Sequence, residues 1–258
     1  MEDEQWKLPL MASLFSFRGG GRAFGANPFL PMSKRSSLKI AVGSLLNLFL
    51  LAASAGEPGP WRTLFDGHDT SAWRGYLQKE FPKSRWVVED GCLHLLKSSS
   101  VGSELITIET FDNYEFEWEW KLAPKGNNGA KYFVTEARPD APGHEYQMIE
   151  DTTEMGAKHI TASFYDVLPP KLPTGVKAPG EWNQSRLVIQ GNHVEHWLNG
   201  KKVLSYEIGS EEVKAALAKS KFKDAPDFGR KIKGHIMLTT HHTEAWYRNI
   251  RLRELPAK

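Results

Sequence analysis

Between Tyr114 and Leu122 the chain alternates without a break. Tyr114, Phe116, Trp118, Trp120 and Leu122 fall on one side, and Glu115, Glu117, Glu119 and Lys121 on the other. Successive side chains of a strand point to opposite faces, so the spacing predicts a strand with an aromatic core face and a charged outer face. Three carboxylates in a row on one strand face repel one another and call for a partner. A second, less regular alternation runs through HEYQMIEDTTEMG, from His144 to Gly156. Here Glu145, Gln147, Ile149 and Asp151 oppose Tyr146, Met148 and Glu150. Two carboxylates and an amide on one face read either as a wetted surface or as a row of groups aimed at a ligand.

Short apolar or alternating runs predict further strands at 61–65, 86–89, 92–96, 104–108, 130–134, 185–190, 193–198, 201–206, 235–239 and 245–254, with 145–150 inside the second alternation. Asp90-Gly91, Gly191-Asn192 and Asn199-Gly200 separate neighbouring runs, and such two-residue steps predict hairpins. One helix is predicted in SEEVKAALAKSKF, with Ser210 as N-cap, Glu211 and Glu212 in the first turn, and Lys219 and Lys221 late. Many strands with one short helix predict an all-β domain over residues 56–258, an antiparallel sandwich of two sheets.

Composition narrows the function. A net charge of +2 with scattered Lys and Arg gives no sign of a nucleic-acid binder, and none is expected as a partner. Cys92 is the single cysteine, so no disulfide framework exists, and its apolar setting in DGCLHL predicts an inert buried thiol. MSKRSSLKIAVGSLLNLFLLAASA, residues 32–55, has a basic start, an apolar stretch and small residues at Ala53 and Ala55. That order predicts a secretory signal peptide cleaved after Ala55, leaving no stable membrane span and a periplasmic or secreted domain. Residues 1–31 lack periodicity and read as a mis-called or disordered extension ahead of a start at Met32.

Ordered signatures then carry a resemblance. LFDG at 64–67 precedes Trp73, and WVVEDGCL spans 86–93. YEFEWEW precedes GNNG at 126–129, and EYQMIED occupies 145–151. GEWN at 180–183, HWLNG at 196–200, GHIMLTTH ending at His241 and WYRNIR at 246–251 complete the set. Over residues 60–255 the chain resembles the 3-keto-disaccharide hydrolase family. The resemblance implies a concanavalin A-like jelly roll that hydrolyses glycosides whose glucose carries a ketone at C3. It also implies a sugar 3-oxidoreductase as functional partner. Two runs depart from the family pattern. GNNGAKYFV places Lys131 where an Arg is usual nearby, and LTTHH places Thr240 and His242 where Asp and Gly are usual.

Conventional glycoside hydrolysis uses two carboxylates about 5–5.5 Å or about 6.5–9.5 Å apart. Glu145 and Asp151 lie six residues apart, about 20 Å along an extended strand, and cannot be such a pair unless the chain folds back. Glu145 with Glu119 on a neighbouring strand is the easier geometry. With a 3-keto sugar, one base suffices, because the ketone acidifies the C2 proton. Glu145 is then the expected base, with Lys131 and His241 polarising the C3 oxygen or protonating the leaving oxygen. Gln147 and Asn127 would hold hydroxyls, with Glu119, Tyr165 and Asp151 as further sugar contacts. Asp151 reads equally as a cap for Thr152 and Thr153, Tyr165 as a pin for its loop, and Lys131 as a solvated side chain. His196 and Trp182 read as packing residues. Adjacent His241 and His242 face opposite ways, and with no zinc or EF-hand spacing, neither metal nor cofactor is expected. The rival is a carbohydrate-binding, lectin-like module without chemistry, since this architecture serves both.

Overall fold

The computed structural model describes residues 56–100, 102–151 and 155–257. The expected signal peptide and the extension before it lie outside the described residues. Thirteen strands and one helix follow in the order β1 (Arg62–Phe65), β2 (Trp73–Gly75), β3 (Trp86–Glu89), β4 (Cys92–Leu95), β5 (Leu105–Thr107), β6 (Tyr114–Leu122), β7 (Asn127–Val134), β8 (His144–Ile149), β9 (Asn183–Gln190), β10 (His193–Leu198), β11 (Lys201–Glu207), α1 (Glu211–Leu217), β12 (His235–Leu238) and β13 (Ala245–Glu254).

They form the expected two-sheet antiparallel sandwich. The larger sheet runs β11-β10-β9-β6-β13-β4-β3, with β1 also paired to β13. The smaller runs β2-β5-β12-β7-β8. Between them lie the rings of Phe116, Trp118, Trp120, Tyr132, Tyr146 and Tyr247, all essentially inaccessible. Each such ring contributes on the order of 3 kcal/mol of apolar burial. Trp118 meets Tyr146 edge-on across the layers, with centroids 5.1 Å apart.

The hairpin steps are as read. Asn199 and Gly200 both take positive φ (48° and 80°), as do Asp90 and Gly91, the geometry whose twist matches paired strands. Ser210 caps α1, accepting the Val213 N–H at 3.3 Å. The helix stops at Leu217, so Lys219 and Lys221 are not its last turn. Strand β2 escaped the pattern, being three residues long with Arg74 at its centre.

Alternation breaks at one informative place. Phe133 has φ of 55°, and the β7–β12 register slips between the His235–Val134 and Met237–Lys131 pairs. This bulge sends Tyr132 and Phe133 both into the core. Val134 joins Ile106 and Met237 in a separate small cluster, with Tyr76 packed on it.

The carboxylate row of β6 has its partner within the chain. In the β6–β13 register Glu115 faces Arg253, Glu117 faces Arg251 and Glu119 faces Arg248. The closest N–O distances are 2.5, 2.6 and 2.7 Å. Opposite charges directly across a ladder satisfy each other, so this face needs no external ligand.

A polar chain threads the core. His196 Nδ1–H donates to the Ala162 carbonyl at 2.9 Å, and Tyr132 Oη lies 2.9 Å from His196 Nε2. Tyr132 and Tyr206 hydroxyls meet at 2.6 Å, Tyr206 lies 3.3 Å from His144 Nδ1, and His144 Nε2–H donates to the Phe228 carbonyl at 2.6 Å. Burial pulls His144 down to about 3 and His196 to about 4, so both rings are neutral at pH 7. His196 is thus structural.

Candidate active site

The outward face of the smaller sheet gathers most of the residues singled out from the sequence. In the β7–β8 register Lys131 faces Glu145, Gly129 faces Gln147 and Asn127 faces Ile149. Because side chains alternate, Asn127, Gly129, Lys131, Glu145 and Gln147 share one face, while Tyr132 and Tyr146 go inward. Lys131 Nζ stands 3.7 Å from Glu145 Oε2. Gln147 Nε2 donates to Asn127 Oδ1 at 3.2 Å.

Gly129 makes the room. A Cβ built there would come within 2.2 Å of Glu145 Oε1, so any side chain would displace the carboxylate. Glu145 is 8% exposed, yet among the described residues no hydrogen bond reaches its carboxylate; Lys131 is its one close charge. A buried carboxylate normally gathers donors, so this one is underbonded and open to a ligand.

The segment 162–165 extends the sheet beyond β8. Tyr165 N–H donates to the Glu145 carbonyl at 3.0 Å, and Ala162 N–H to the Gln147 carbonyl at 2.8 Å. That pairing sets Tyr165 beside Glu145. Lys221 arrives from the segment after α1, its Nζ 4.3 Å from the Tyr165 ring centre. Asp166 anchors it by accepting the Lys221 N–H at 2.6 Å. Lys221 is exposed, yet its partial burial still lowers the basicity of the ammonium, against the opposing pull of Glu145. The phenol of Tyr165 is pushed up, mainly by burial.

His241 lies past the end of β12, its carbonyl accepting Arg85 Nη2–H at 2.8 Å. Burial lowers its basicity, partly offset by the charge of Glu145, which places the ring within electrostatic reach of the pair. His242 turns away and is exposed, its Nδ1 3.2 Å from the Ser98 carbonyl.

Two expected residues stand elsewhere. Glu119 is on the opposite sheet, facing outward, held by Arg248 at 2.7 Å and by Asn249 Nδ2–H at 2.9 Å. It cannot share a sugar with Glu145, because the aromatic core lies between. Asp151 pins a loop: it accepts the Thr161 N–H at 2.7 Å and the Thr174 hydroxyl at 3.5 Å. Its expected partners Thr152 and Thr153 lie outside the described residues. Trp182 packs under Arg248, whose guanidinium is 4.0 Å from the ring centre. Two members of the site carried no local signal. Gly129 was visible only as part of GNNG, and Lys221 only as a helix tail. Among the described residues no three His, Cys, Asp or Glu side chains come together as a metal site.

Comparison with known proteins gives this arrangement a context. The model of a 3-keto-alpha-glucoside-1,2-lyase-like domain matches residues 60–253. A 3-keto-disaccharide hydrolase from Bacteroides thetaiotaomicron is 31% identical over 227 residues, covering 75% of this chain and 78% of the relative. A candidate glycosyl hydrolase from Parabacteroides distasonis superposes with a TM-score of 0.68 at 30% identity, over 76% of this chain and 94% of that one. A second from the same organism, at 23% identity and a TM-score of 0.62 over 76% and 100%, shares the fold. With its family match spanning the whole sandwich, the chain belongs to the 3-keto-alpha-glucoside-1,2-lyase-like, or 3-keto-disaccharide hydrolase, family.

Proposed function

We propose that this glycosyl hydrolase acts on glucosides already oxidised to a ketone at C3, by elimination across C1 and C2 followed by addition of water. The state of Glu145 carries the reading: a buried, underbonded carboxylate with one ammonium at 3.7 Å. A single base beside a single cation suits proton abstraction next to a ketone. Neither Asp151 nor Glu119 stands beside Glu145 to make a conventional pair.

In this sequence Glu145 takes the C2 proton, and the C–H electron pair becomes a C2=C3 enolate whose oxygen faces Lys131. The enolate collapses, restoring C3=O, forming C1=C2 and expelling the aglycone oxygen, which takes up a proton. Water then adds, hydroxyl to C1 and hydrogen to C2. The net change is glycoside plus water to free 3-keto sugar plus alcohol. Gln147 and Asn127 present their amides to sugar hydroxyls. His241, neutral at pH 7 because burial lowers its basicity, serves as an N–H donor. The lyase description of the matching family supports this route.

The ketone must be installed by a sugar 3-oxidoreductase, and the layout of residues 32–55 supports action outside the cytoplasm after cleavage at Ala55. The test is a 3-keto-glucoside deuterated at C2, run beside its unoxidised parent. Turnover of the keto substrate alone, slowed by deuterium and with the label lost to water, is expected. Equal cleavage of the parent, retention of the label, or binding of both without turnover would overturn it.

A further inference from the structure

One row of residues crosses the middle of the polar face. Gly129 faces Gln147 in the β7–β8 register. On the far side of β7, Leu238 faces Ala130 and the Thr239 N–H donates to the Gly129 carbonyl at 2.9 Å, so Thr239 stands opposite Gly129. On the far side of β8, Tyr146 faces Phe164 and the Gln147 N–H donates to the Ser163 carbonyl at 3.3 Å, so Ser163 stands opposite Gln147. Leu238 and Phe164 point into the core, and alternation turns Thr239 and Ser163 outward beside them. The row runs Thr239, Gly129, Gln147, Ser163.

The hydroxyls at its two ends are buried and unpartnered. Thr239 is 4% exposed and Ser163 0%, and Thr239 Oγ1 and Ser163 Oγ make no hydrogen bond among the described residues. Nearby hydroxyls on the same segments behave differently. Thr240 Oγ1–H donates to the Gly102 carbonyl at 2.9 Å, and the oxygen accepts the Gly102 N–H at 3.1 Å. Thr161 Oγ1–H donates to the Ile149 carbonyl at 2.7 Å, and the oxygen accepts the Ile149 N–H at 3.1 Å. The chain thus satisfies the hydroxyls beside the row and leaves bare the two within it. A buried hydroxyl without a partner weakens the fold, which marks these two for a ligand.

Their neighbours in the row point the same way. A Cβ on Gly129 would meet Glu145 Oε1 at 2.2 Å, so the carboxylate occupies the place of the missing side chain. Opposed residues have Cβ atoms about 4.5–5.5 Å apart, which sets Thr239 beside that carboxylate. No hydrogen bond joins them. Gln147 turns its amide to Asn127 at 3.2 Å and leaves Ser163 alone.

We propose that Thr239 and Ser163 are substrate-binding residues whose hydroxyls bond sugar hydroxyls at the two edges of the bound glycoside, on either side of Glu145 and Gln147. The inference rests on the 3-keto-glucoside reading and adds two residues that bind without moving the reacting proton. A rotating hydroxyl both donates and accepts, as a sugar hydroxyl does. Rotation of the unbranched side chains beside them, Lys131 and Gln147, admits the ligand.

Thr239→Val and Ser163→Ala remove each hydroxyl and nearly keep the shape. On a 3-keto-disaccharide each is expected to raise KM about tenfold, a binding loss of about 1.4 kcal/mol, with kcat within about twofold. Each melting temperature should equal or exceed that of wild type, because the deleted hydroxyl was buried and unpartnered. Thr239→Ser, which returns a hydroxyl, should bring KM back toward the wild-type value. An unchanged KM, or a lowered melting temperature, overturns the assignment of that residue. If the wild-type protein does not turn over the keto substrate, the 3-keto reading has failed, and calorimetry with the unoxidised disaccharide decides the contacts separately. Binding that a variant weakens supports its residue, and binding that is absent or unaffected overturns it.

Discussion

The two outward faces of the sandwich carry similar residues and treat them differently. On the larger sheet Glu115, Glu117 and Glu119 each lie opposite an arginine, with N–O contacts of 2.5–2.7 Å. Arg251 and Arg253 also cover Trp61, with guanidinium carbons 4.5 and 4.8 Å from its ring centre. That face is closed upon itself. On the smaller sheet Glu145 is as buried as Glu115, yet its nearest cation is 3.7 Å away and no donor reaches it among the described residues. Carboxylate count therefore says little about where chemistry happens. What separates the faces is whether each charge has been satisfied by the chain itself, because desolvation left uncompensated in the free protein is available to a ligand.

Three substitutions test the contrast. Glu145→Gln should lower kcat on a 3-keto-glucoside by about a thousandfold, the scale of a lost general base, with a melting temperature equal to or above wild type. Retained activity would remove Glu145 from the mechanism. Gly129→Ala should lower kcat/KM by about a hundredfold, because the new methyl displaces the carboxylate by the small distances to which catalysis is sensitive. A structure of that variant with Glu145 unmoved would break the argument. Glu117→Gln should cost about 1–2 kcal/mol of stability, because the mostly covered carboxylate accepts two N–H bonds from Arg251, and leave turnover unchanged. Denaturant midpoints and initial rates on one preparation decide it.

Much of this contrast was hidden in the sequence, for definite reasons. Strands β6, β10 and β13 and the hairpin steps at Asp90-Gly91 and Asn199-Gly200 were legible, because alternation and turn chemistry are local. Strand β7 was read as starting at Ala130, since GNNG looks like a turn; it starts at Asn127, inside that motif. Glu119 and Glu145 seemed to be neighbours, because a local pattern shows that a face is polar but not which sheet the strand joins. The arginines that neutralise β6 lie on β13, near the other end of the chain. Lys221 was assigned to a helix whose periodicity could not show that it stops at Leu217.

The polar chain in the core has a property that follows from counting protons. Its two ends are the carbonyls of Phe228 and Ala162, which can only accept. Between them lie two neutral imidazoles and two phenols, with four protons for five contacts. His196 gives its proton to Ala162, so Tyr132 must give to His196 and Tyr206 to Tyr132. His144 gives to Phe228, and nothing is left for the contact between Tyr206 and His144 Nδ1. That contact is the longest of the five, at 3.3 Å. Tyr132→Phe should therefore orphan His196 Nε2, at about 1–3 kcal/mol, while the freed Tyr206 proton turns to His144 Nδ1; Tyr206→Phe leaves Tyr132 still donating to His196 and should cost less. Acid acts on the same vacancy. Both histidines bind protons more weakly folded than unfolded, so the stability their burial permits is whole above about pH 6.5 and is lost as pH falls toward 4 and then 3. The sandwich thus carries, within its aromatic core, one unfilled proton position that strong acid alone can occupy.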